Sequence, residues 1–410
     1  MKIGLAQTTS LKGNVPKNIQ DHLRIIKRAI KLQADLIVFP ELSITSYEPE
    51  LAKDLVTDVN SSLFNPFQVL SDAHEITIGI GMPTPAFDGI HISMLIFQPK
   101  KDRLVYSKQI LHSDELPFFV CGTKQTILNI KGNKIALGIC YETMQREHFE
   151  HAKQLGADIY IASAAKAKGG METANSYYPK MAKEWDTPIL LSNAIGFCDN
   201  FISVGQSAIW NQNGELLEQL DDQNEGLLIY DTESETTEKH SLKIEKAYIS
   251  DLEDLFQIYL NGKNELEKNG IYQWTDSYPT ISIIENDIRK GELFTLKNES
   301  KLIGAITINE DQEKEYQIIP WKYDDTKVLV IHRLVVDPKH QKQGYAHKMM
   351  DFAEDFAIQN DYTSIRLDAY SQHEKVIEFY KKRNYVVRGN VYFPGREFPF
   401  YCIEKGFQKF

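Results

Sequence analysis

Three side chains that could act together as a catalytic unit, Cys140, Glu41 and Lys108, each follow a short apolar run. The runs occupy residues 36–40, 104–107 and 135–139. Runs of this kind predict buried strands, and α/β proteins place their chemistry at the carboxyl ends of strands. The spacing therefore predicts that a thiol, a carboxylate and an ammonium meet at the rim of a sheet. Without such partners, a Cys after an apolar strand is most often a small core side chain.

Three short motifs surround these residues, at positions 39–42, 106–111 and 138–142. In this order and at this spacing they resemble the three successive motifs of the nitrilase, or carbon–nitrogen hydrolase, superfamily, and three ordered motifs are far more specific than one. Further similar segments lie at 1–7, 156–160 and 204–210. The resemblance therefore extends from residue 1 to about residue 232.

The resemblance implies a role for each of these side chains. A free Cys has a pKa near ~8.5 and needs a base or a cation to react at neutral pH. Glu41 would be that base, Cys140 the nucleophile that forms a thioester, and Lys108 the cation that faces the oxyanion. Glu115 would be the second glutamate that holds the lysine and the substrate. Asp114 competes for that role, and an ordinary loop carboxylate is the plainer interpretation of Glu115.

The composition changes after the first half of the chain. Residues 231–241 contain four acidic residues and no apolar one, which is typical of a linker. A new alternating pattern begins at residue 242, and 410 residues suit two domains. The sequence therefore predicts one domain at 1–232, a linker at 233–242 and a second domain at 243–410.

The second half contains a strand, a polar loop and a helix in succession. The apolar run 328–336 predicts the strand, and apolar residues at helical spacing follow Gly344. Such a loop presents backbone N–H groups to an anion at the start of a helix. A glycine in a strand–helix turn is a weak signal when it stands alone.

In context, this arrangement resembles the acetyl-CoA pyrophosphate site of the GCN5-related N-acetyltransferase (GNAT) family. The resemblance rests on 328–336, on the Q-x-x-G-x-A loop at 341–346, and on 364–369 and 378–385. It implies acetyl-CoA as co-substrate, bound by Leu334, Val336, Gln341, Gln343, Gly344 and Ala346. Tyr380 would protonate the leaving thiolate, although a packed aromatic is the commoner use of such a residue. The general base stays open among His332, Asp368 and Glu374, and Asn384 and His373 depart from the family pattern.

Charge and composition exclude some partners. A net charge of −11 and a pI of about 5.6 offer no general attraction to nucleic acid or to anionic membranes. The sequence has no run long enough to span a bilayer and no signal-peptide pattern. Its four cysteines show neither a C-x-x-C pair nor zinc spacing. These features predict a cytoplasmic protein without a metal.

The two halves together predict an α/β protein. The first resemblance implies an αββα sandwich that forms a homo-oligomer, and the second implies a smaller mixed-sheet domain. The preferred hypothesis is an enzyme with two activities on small molecules, hydrolysis of a C–N bond and acetyl transfer to an amine. In the alternative, a degenerate GNAT domain senses acetyl-CoA and regulates an amidase. The sequence leaves open whether amides, nitriles or carbamoyl groups are hydrolysed.

Overall fold

Two patterns of buried residues correspond to two units of structure. The computed structural model describes residues 1–298, 301–323 and 327–407. The chain divides into Met1–Ser241 and Leu242–Phe410.

The first unit contains two sheets and the helices that cover them. Its strands are β1 (Lys2–Gln7), β2 (Leu36–Val38), β3 (Thr77–Pro85), β4 (Ile90–Phe97), β5 (Leu104–Ser107), β6 (Ile127–Ile130), β7 (Asn133–Ile139), β8 (Ile159–Ala164), β9 (Ile189–Asn193), β10 (Ile195–Cys198), β11 (Phe201–Val204), β12 (Ala208–Trp210), β13 (Leu216–Gln219), β14 (Gly226–Asp231) and the beginning of β15 (Thr236–Lys246). Its helices are α1 (Val15–Lys31), α2 (Ala52–Leu55), α3 (Asn65–His74), α4 (Arg146–Gln154) and α5 (Lys168–Glu184). One sheet has the order β15-β14-β1-β2-β3-β4-β5 and the other β13-β12-β9-β8-β7-β6, while β10 and β11 form a separate hairpin.

Both faces of the central strands are buried, because side chains alternate between the faces of a strand. Leu5 and Leu137, from different sheets, share one core. Ala6 faces the helices α1 and α3, and Ala136 faces α4 and α5. The layers are therefore helix, sheet, sheet and helix, which confirms the αββα sandwich.

The second unit is smaller and contains one mixed sheet. Its strands are the end of β15, β16 (Leu293–Asn298), β17 (Lys301–Asn309), β18 (Val328–Val336), β19 (Ser364–Tyr370), β20 (Val386–Val391) and β21 (Phe400–Gly406). Its helices are α6 (Leu252–Lys268), α7 (Ile281–Lys290), α8 (Tyr345–Gln359) and α9 (Glu374–Lys382). The order is β20-β21-β19-β18-β17-β16-β15, with β18 and β19 parallel and the other neighbours antiparallel. A mixed-sheet α/β domain is confirmed.

The segment 233–242 differs from the linker that its composition suggests. Most of it belongs to β15, and in the first unit residues 236–241 pair with β14. Backbone hydrogen bonds do not require apolar side chains, so a polar segment can form a strand when a partner strand is available. Among the described residues, none of the helices combines the length and the apolar character that a membrane span needs.

Candidate active site

Glu41 lies in a tight turn directly after β2. The N–H of Phe39 donates to the carbonyl of Gly79 in β3, at 2.9 Å, and Leu42 then takes a positive φ of 48° that closes the turn. The Glu41 side chain is 0 % exposed. The turn thus holds the carboxylate in a fixed place, out of contact with bulk water.

Gly81 of β3 allows this turn to approach the sheet. A Cβ atom at Gly81 would lie 2.3 Å from the backbone nitrogen of Leu42 and 2.6 Å from the carbonyl oxygen of Pro40. These are backbone atoms, so they cannot move aside without moving Glu41. No sequence signal marks Gly81, because its importance depends on which backbone faces it in three dimensions.

Lys108 lies between two carboxylates. Its Nζ donates to Oε1 of Glu41 at 2.8 Å and to Oε1 of Glu115 at 2.6 Å, and its side chain is 0 % exposed. Glu115 also accepts hydrogen bonds from the hydroxyl of Tyr47 at 3.0 Å and from the N–H of His112 at 2.7 Å. The structure therefore brings three of the predicted site residues into one buried network.

Asp114, the competitor of Glu115, points elsewhere. It is exposed, and its Oδ1 lies 2.5 Å from the Nδ1 of His112. Glu115, not Asp114, contacts Lys108.

Cys140 begins a 3₁₀ turn, Cys140–Met144, immediately after β7. Its φ of 47° is rare for a side chain with a Cβ atom. The carboxylate of Glu142 accepts hydrogen bonds from the N–H groups of Ile139 at 2.7 Å and Gln109 at 2.6 Å. Glu142 therefore ties the end of the Cys140 strand to the segment that follows β5.

The surroundings of Cys140 keep its sulfur protonated at neutral pH. Burial and the Glu41 carboxylate raise the pKa of Cys140 to about 11, against the opposing charges of Lys166 and Lys108. Burial also raises the pKa of Glu41, and the ammonium of Lys108 opposes that shift. Oε2 of Glu41 is buried and has no hydrogen-bond partner within the described residues. A thiol and an acceptor for its proton are thus available in the same site.

A second buried lysine, Lys166, lies beside Cys140 and was not predicted from the sequence. Its Nζ is 4.0 Å from the sulfur and 3.4 Å from the carbonyl oxygen of Cys140. The sequence did contain a signal, because Lys166 follows the apolar strand β8 at a distance of two residues. This is the same pattern of strand and polar residue that marks the other three.

In the second unit, β18 and β19 separate after their first residues. They pair only over Val328–Val330 of β18. The N–H of Asp337 donates to Ile303 in β17, at 2.9 Å. Because backbone groups alternate in direction along a strand, those of Leu334 and Val336 point away from β17, toward the gap.

The loop between β18 and α8 presents a series of backbone N–H groups. Lys342 and Gly344 have positive φ values of 60° and 81°. Within the residues that the structure describes, the N–H groups of 342–346 have no backbone acceptor. Such a concave series at a helix N-terminus suits the oxygens of a pyrophosphate. The predicted cofactor residues thus lie in two places, Leu334 and Val336 on β18, and Gln341, Gln343, Gly344 and Ala346 in the loop or the first turn of α8.

Tyr380 lies on α9 and is buried. Its hydroxyl has no hydrogen-bond partner among the described residues, although its ring lies 5.7 Å from that of Tyr385. Burial and the nearby Asp368 carboxylate raise the pKa of Tyr380 above its usual range. The hydroxyl therefore remains protonated at neutral pH and is free to donate.

The three candidate bases of the second unit differ in environment. His332 contacts Asn309 at 2.9 Å, and burial lowers its pKa to about 4. Asp368 accepts a hydrogen bond from Tyr316 at 2.7 Å, and burial raises its pKa to about 6. Glu374 is exposed. Asp368 is the one of the three whose charge acts on the tyrosine of α9.

Within residues 1–298, 301–323 and 327–407, no group of three or more His, Cys, Asp or Glu side chains is arranged to hold a metal ion.

Comparison with protein families finds a match in each unit. Residues 2–240, more than half of the chain, match the family described as carbon-nitrogen hydrolase. Residues 252–385 match the acetyltransferase (GNAT) family.

Individual relatives are distant. The glutamine-dependent NAD(+) synthetase of Acinetobacter baylyi is 26 % identical over 257 residues, which are 60 % of this chain and 46 % of that protein. The match therefore spans less than half of the synthetase. The uncharacterized N-acetyltransferase YesJ of Bacillus subtilis is 25 % identical over 146 residues, 35 % of this chain and 81 % of that protein.

Solved structures resemble the first unit in fold. The NitN amidase from Nesterenkonia sp. AN1 superimposes with a TM-score of 0.52 at 22 % identity, and the match covers 56 % of this chain and 92 % of that one. At this identity, the likeness concerns the fold alone.

Proposed function

This chain belongs to the carbon–nitrogen hydrolase family, and from that premise we propose that its first unit hydrolyses a carboxamide through a thioester on Cys140. We further propose that the second unit, a GNAT domain, transfers the acetyl group of acetyl-CoA to a small amine. A homo-oligomer and the cytoplasmic location remain expectations from the sequence.

The proposed hydrolysis proceeds in two stages. The proton of the Cys140 thiol moves to Glu41 while the sulfur bonds to the amide carbon and the C=O π electrons move to oxygen. Lys108 stabilises that oxyanion. The C–N bond then breaks, and the proton on Glu41 leaves with the amine. In the second stage Glu41 takes a proton from water as the water oxygen bonds to the thioester carbon. The C–S bond then breaks, the C=O bond re-forms, and Glu41 returns the proton to the sulfur, which gives the acid and the thiol.

One observation carries this proposal. The two oxygens of the buried Glu41 carboxylate have different surroundings, since Lys108 holds Oε1 and nothing among the described residues binds Oε2. A carboxylate that is fixed at one oxygen and free at the other can accept a proton without moving. The raised pKa of Glu41 also makes it a stronger base than an exposed glutamate.

The proposal is tested by measuring ammonia release from a panel of substrates. The panel contains simple aliphatic amides, glutamine, nitriles and N-carbamoyl compounds; glutamine is included because the matched synthetases are glutamine-dependent. We expect release from at least one carboxamide and none from the same amide with Cys140→Ala. Equal release by the variant, or no release from any carboxamide, would exclude the proposed reaction.

Gly81→Ala is expected to lower hydrolysis about 10²-fold. The new Cβ would push the turn that holds Glu41, and a displacement of about 1 Å in a reacting group costs activity of that order. The matched control is Gly79→Ala in the same strand, where the new Cβ meets the flexible side chain of Met94 at 2.9 Å. Turnover and thermal unfolding are measured for both. Equal turnover in the two variants would contradict this role of Gly81.

For the second unit, the loop and the β18 edge support the proposed binding of acetyl-CoA. The N–H groups of 342–346 would hold the pyrophosphate, and those of Leu334 and Val336 would bind the pantetheine arm. Acetyl-CoA supplies an activated acetyl thioester when it is bound. Tyr380 would donate its proton to the thiolate that leaves, and Asp368 would take a proton from the amine.

Tyr380→Phe is expected to keep acetyl-CoA affinity near that of the parent and to slow acetyl transfer by about 10²–10⁴, the usual contribution of a positioned acid. Gly344→Leu should instead weaken binding, since its φ of 81° disfavours any side chain. Calorimetry measures affinity, and coenzyme A release measures transfer. Undiminished transfer by Tyr380→Phe on a confirmed acceptor would remove Tyr380 from the mechanism.

The sensor alternative rests on the two departures from the family pattern. Asn384 stands where glycine is usual, and it takes a φ of 66°, a left-handed conformation that Asn tolerates better than most residues. The substitution is thus compatible with the local backbone, which favours an active transferase over a degenerate one. Titrating acetyl-CoA while following both reactions decides between them. A change in amide hydrolysis without transfer to any amine would favour the sensor.

A further inference from the structure

The ammonium of Lys166 is buried beside the nucleophile and has few partners. The residue is 6 % exposed. Its Nζ contacts only two acceptors among the described residues, the carbonyl oxygen of Cys140 at 3.4 Å and the sulfur at 4.0 Å. No carboxylate lies within ion-pair distance of it in that part of the chain, whereas Lys108 has two.

The backbone of Lys166 is fixed on both sides. Its N–H donates to Oδ1 of Asn193 at 2.8 Å, and its carbonyl accepts from Ser203 at 3.1 Å and from the N–H of Val204 at 3.1 Å. These bonds do not require a charged side chain. A buried ammonium without a carboxylate is unfavourable for folding, so its presence beside a reactive sulfur points to a function.

We propose that Lys166 is a second catalytic cation, whose N–H group points at the Cys140 sulfur and stabilises the thiolate as it forms. The inference rests on the proposed function only in taking Cys140 as the nucleophile. The proton leaves sulfur for Glu41, the sulfur keeps the electron pair, and Lys166 remains charged throughout. Lys108 acts at the oxyanion and Lys166 at the sulfur, so the two lysines have separate tasks.

The charge balance of the site supports this division. Four ionised side chains act on the Cys140 thiol, namely Glu41, Glu115, Lys108 and Lys166. Their charges sum to zero while the sulfur is protonated, and the total with the thiolate included is still zero when the proton has moved to Glu41. Without Lys166 the buried cluster would carry one net negative charge in both states, which disfavours a thiolate.

A substrate carboxylate is a poorer partner for Lys166. Glu41 and Glu115 already lie in the site, so an added anion would face two carboxylates. The Cys140 sulfur, in contrast, already lies 4.0 Å from the Nζ of Lys166. The geometry therefore favours the thiolate as the anion that Lys166 serves.

The test measures the reactivity of Cys140 itself. Iodoacetamide is uncharged and alkylates the thiolate form. Alkylation of Cys140 in the full-length protein at pH 8 is followed by mass spectrometry of the Cys140 peptide, and its time course gives the rate constant. All variants also carry Cys121→Ser, because Cys121 is exposed and would react as well. The variants are Lys166→Met, which fills the space without charge, and Lys166→Gln, which keeps a donor for the Cys140 carbonyl. Lys168→Met is the matched control at an exposed position.

We expect Lys166→Met and Lys166→Gln to react at least about tenfold more slowly than the parent, while Lys168→Met is unchanged. Thermal unfolding of Lys166→Met should occur at an equal or higher temperature, since a buried charge is removed. A merely structural lysine would lower that temperature without slowing alkylation. Alkylation within about twofold of the parent in either Lys166 variant, or failure of both to fold, would overturn the proposal.

Failure of the two proposals can be told apart. If the Lys166 variants are alkylated more slowly but the parent hydrolyses no carboxamide, the role of Lys166 is supported and the proposed hydrolysis is excluded. Unchanged alkylation in a protein that hydrolyses amides would do the reverse. In that second case, a higher KM for anionic amides alone would identify Lys166 as a subsite for substrate anions.

Discussion

Replacing Cys140 with serine is expected to lower amide hydrolysis by several orders of magnitude and to leave acetyl transfer unchanged. The hydroxyl is much less acidic than the thiol, so Glu41 cannot remove its proton as readily. Serine has the shape of cysteine with a smaller atom in place of sulfur, so the fold should persist. Turnover of a hydrolysed amide and release of coenzyme A are measured on the same preparation.

The matched control is Cys121→Ser, the same change at an exposed cysteine of the same unit. It should hydrolyse the amide as the parent does. If Cys140→Ser retained more than about a tenth of the parent turnover, Cys140 would not be the nucleophile, because losing one costs far more.

Lys108→Met is expected to reduce hydrolysis by about 10²–10³-fold, the usual cost of losing one oxyanion donor. It should also destabilise the first unit by about 3–5 kcal/mol, because Glu41 and Glu115 would be left buried without their shared cation. The pKa of Glu41 would rise further, so that more of this carboxyl group is protonated at neutral pH and unable to accept the proton of the thiol. Steady-state kinetics and denaturant unfolding measure the two effects.

A double variant separates stability from catalysis. Lys108→Met with Glu115→Gln removes one carboxylate along with the cation, so it should recover much of the lost stability and none of the lost turnover. If turnover returned with stability, Lys108 would be a structural residue. If KM rose and turnover stayed unchanged in Lys108→Met, its role would be substrate binding alone.

Much of the fold could be predicted because both faces of the central strands are buried. That burial produces the apolar runs before Glu41, Lys108 and Cys140, from which their strands could be inferred, whereas the order of the layers came from the resemblance to the carbon–nitrogen hydrolase family. Part of the second unit could be predicted for the same reason, since the apolar run at 328–336 has the same bounds as β18. Polar strands such as β15 could not be predicted from the sequence, because they form by pairing with a neighbouring strand and have no apolar pattern.

The details of the candidate site depended on three-dimensional proximity. Whether Asp114 or Glu115 faces Lys108 is decided by the direction of side chains in one loop. Gly81 is important for the site only because the turn that carries Glu41 packs directly against its backbone. Lys166 had the same strand-end signal as the other three residues, and it was overlooked because it lies outside the three motifs.

The most direct test of the central claim is mass spectrometry of the acid-quenched protein during turnover of a carboxamide. The account predicts an added mass equal to the acyl group, located on the Cys140 peptide and absent from Cys140→Ala. Glu41→Gln should form the adduct more slowly than the parent, because the base for the thiol is lost, and should also release it more slowly, because the same base serves the attacking water. Steady hydrolysis by the parent, with no acyl adduct on Cys140 in either the parent or Glu41→Gln, would contradict the account.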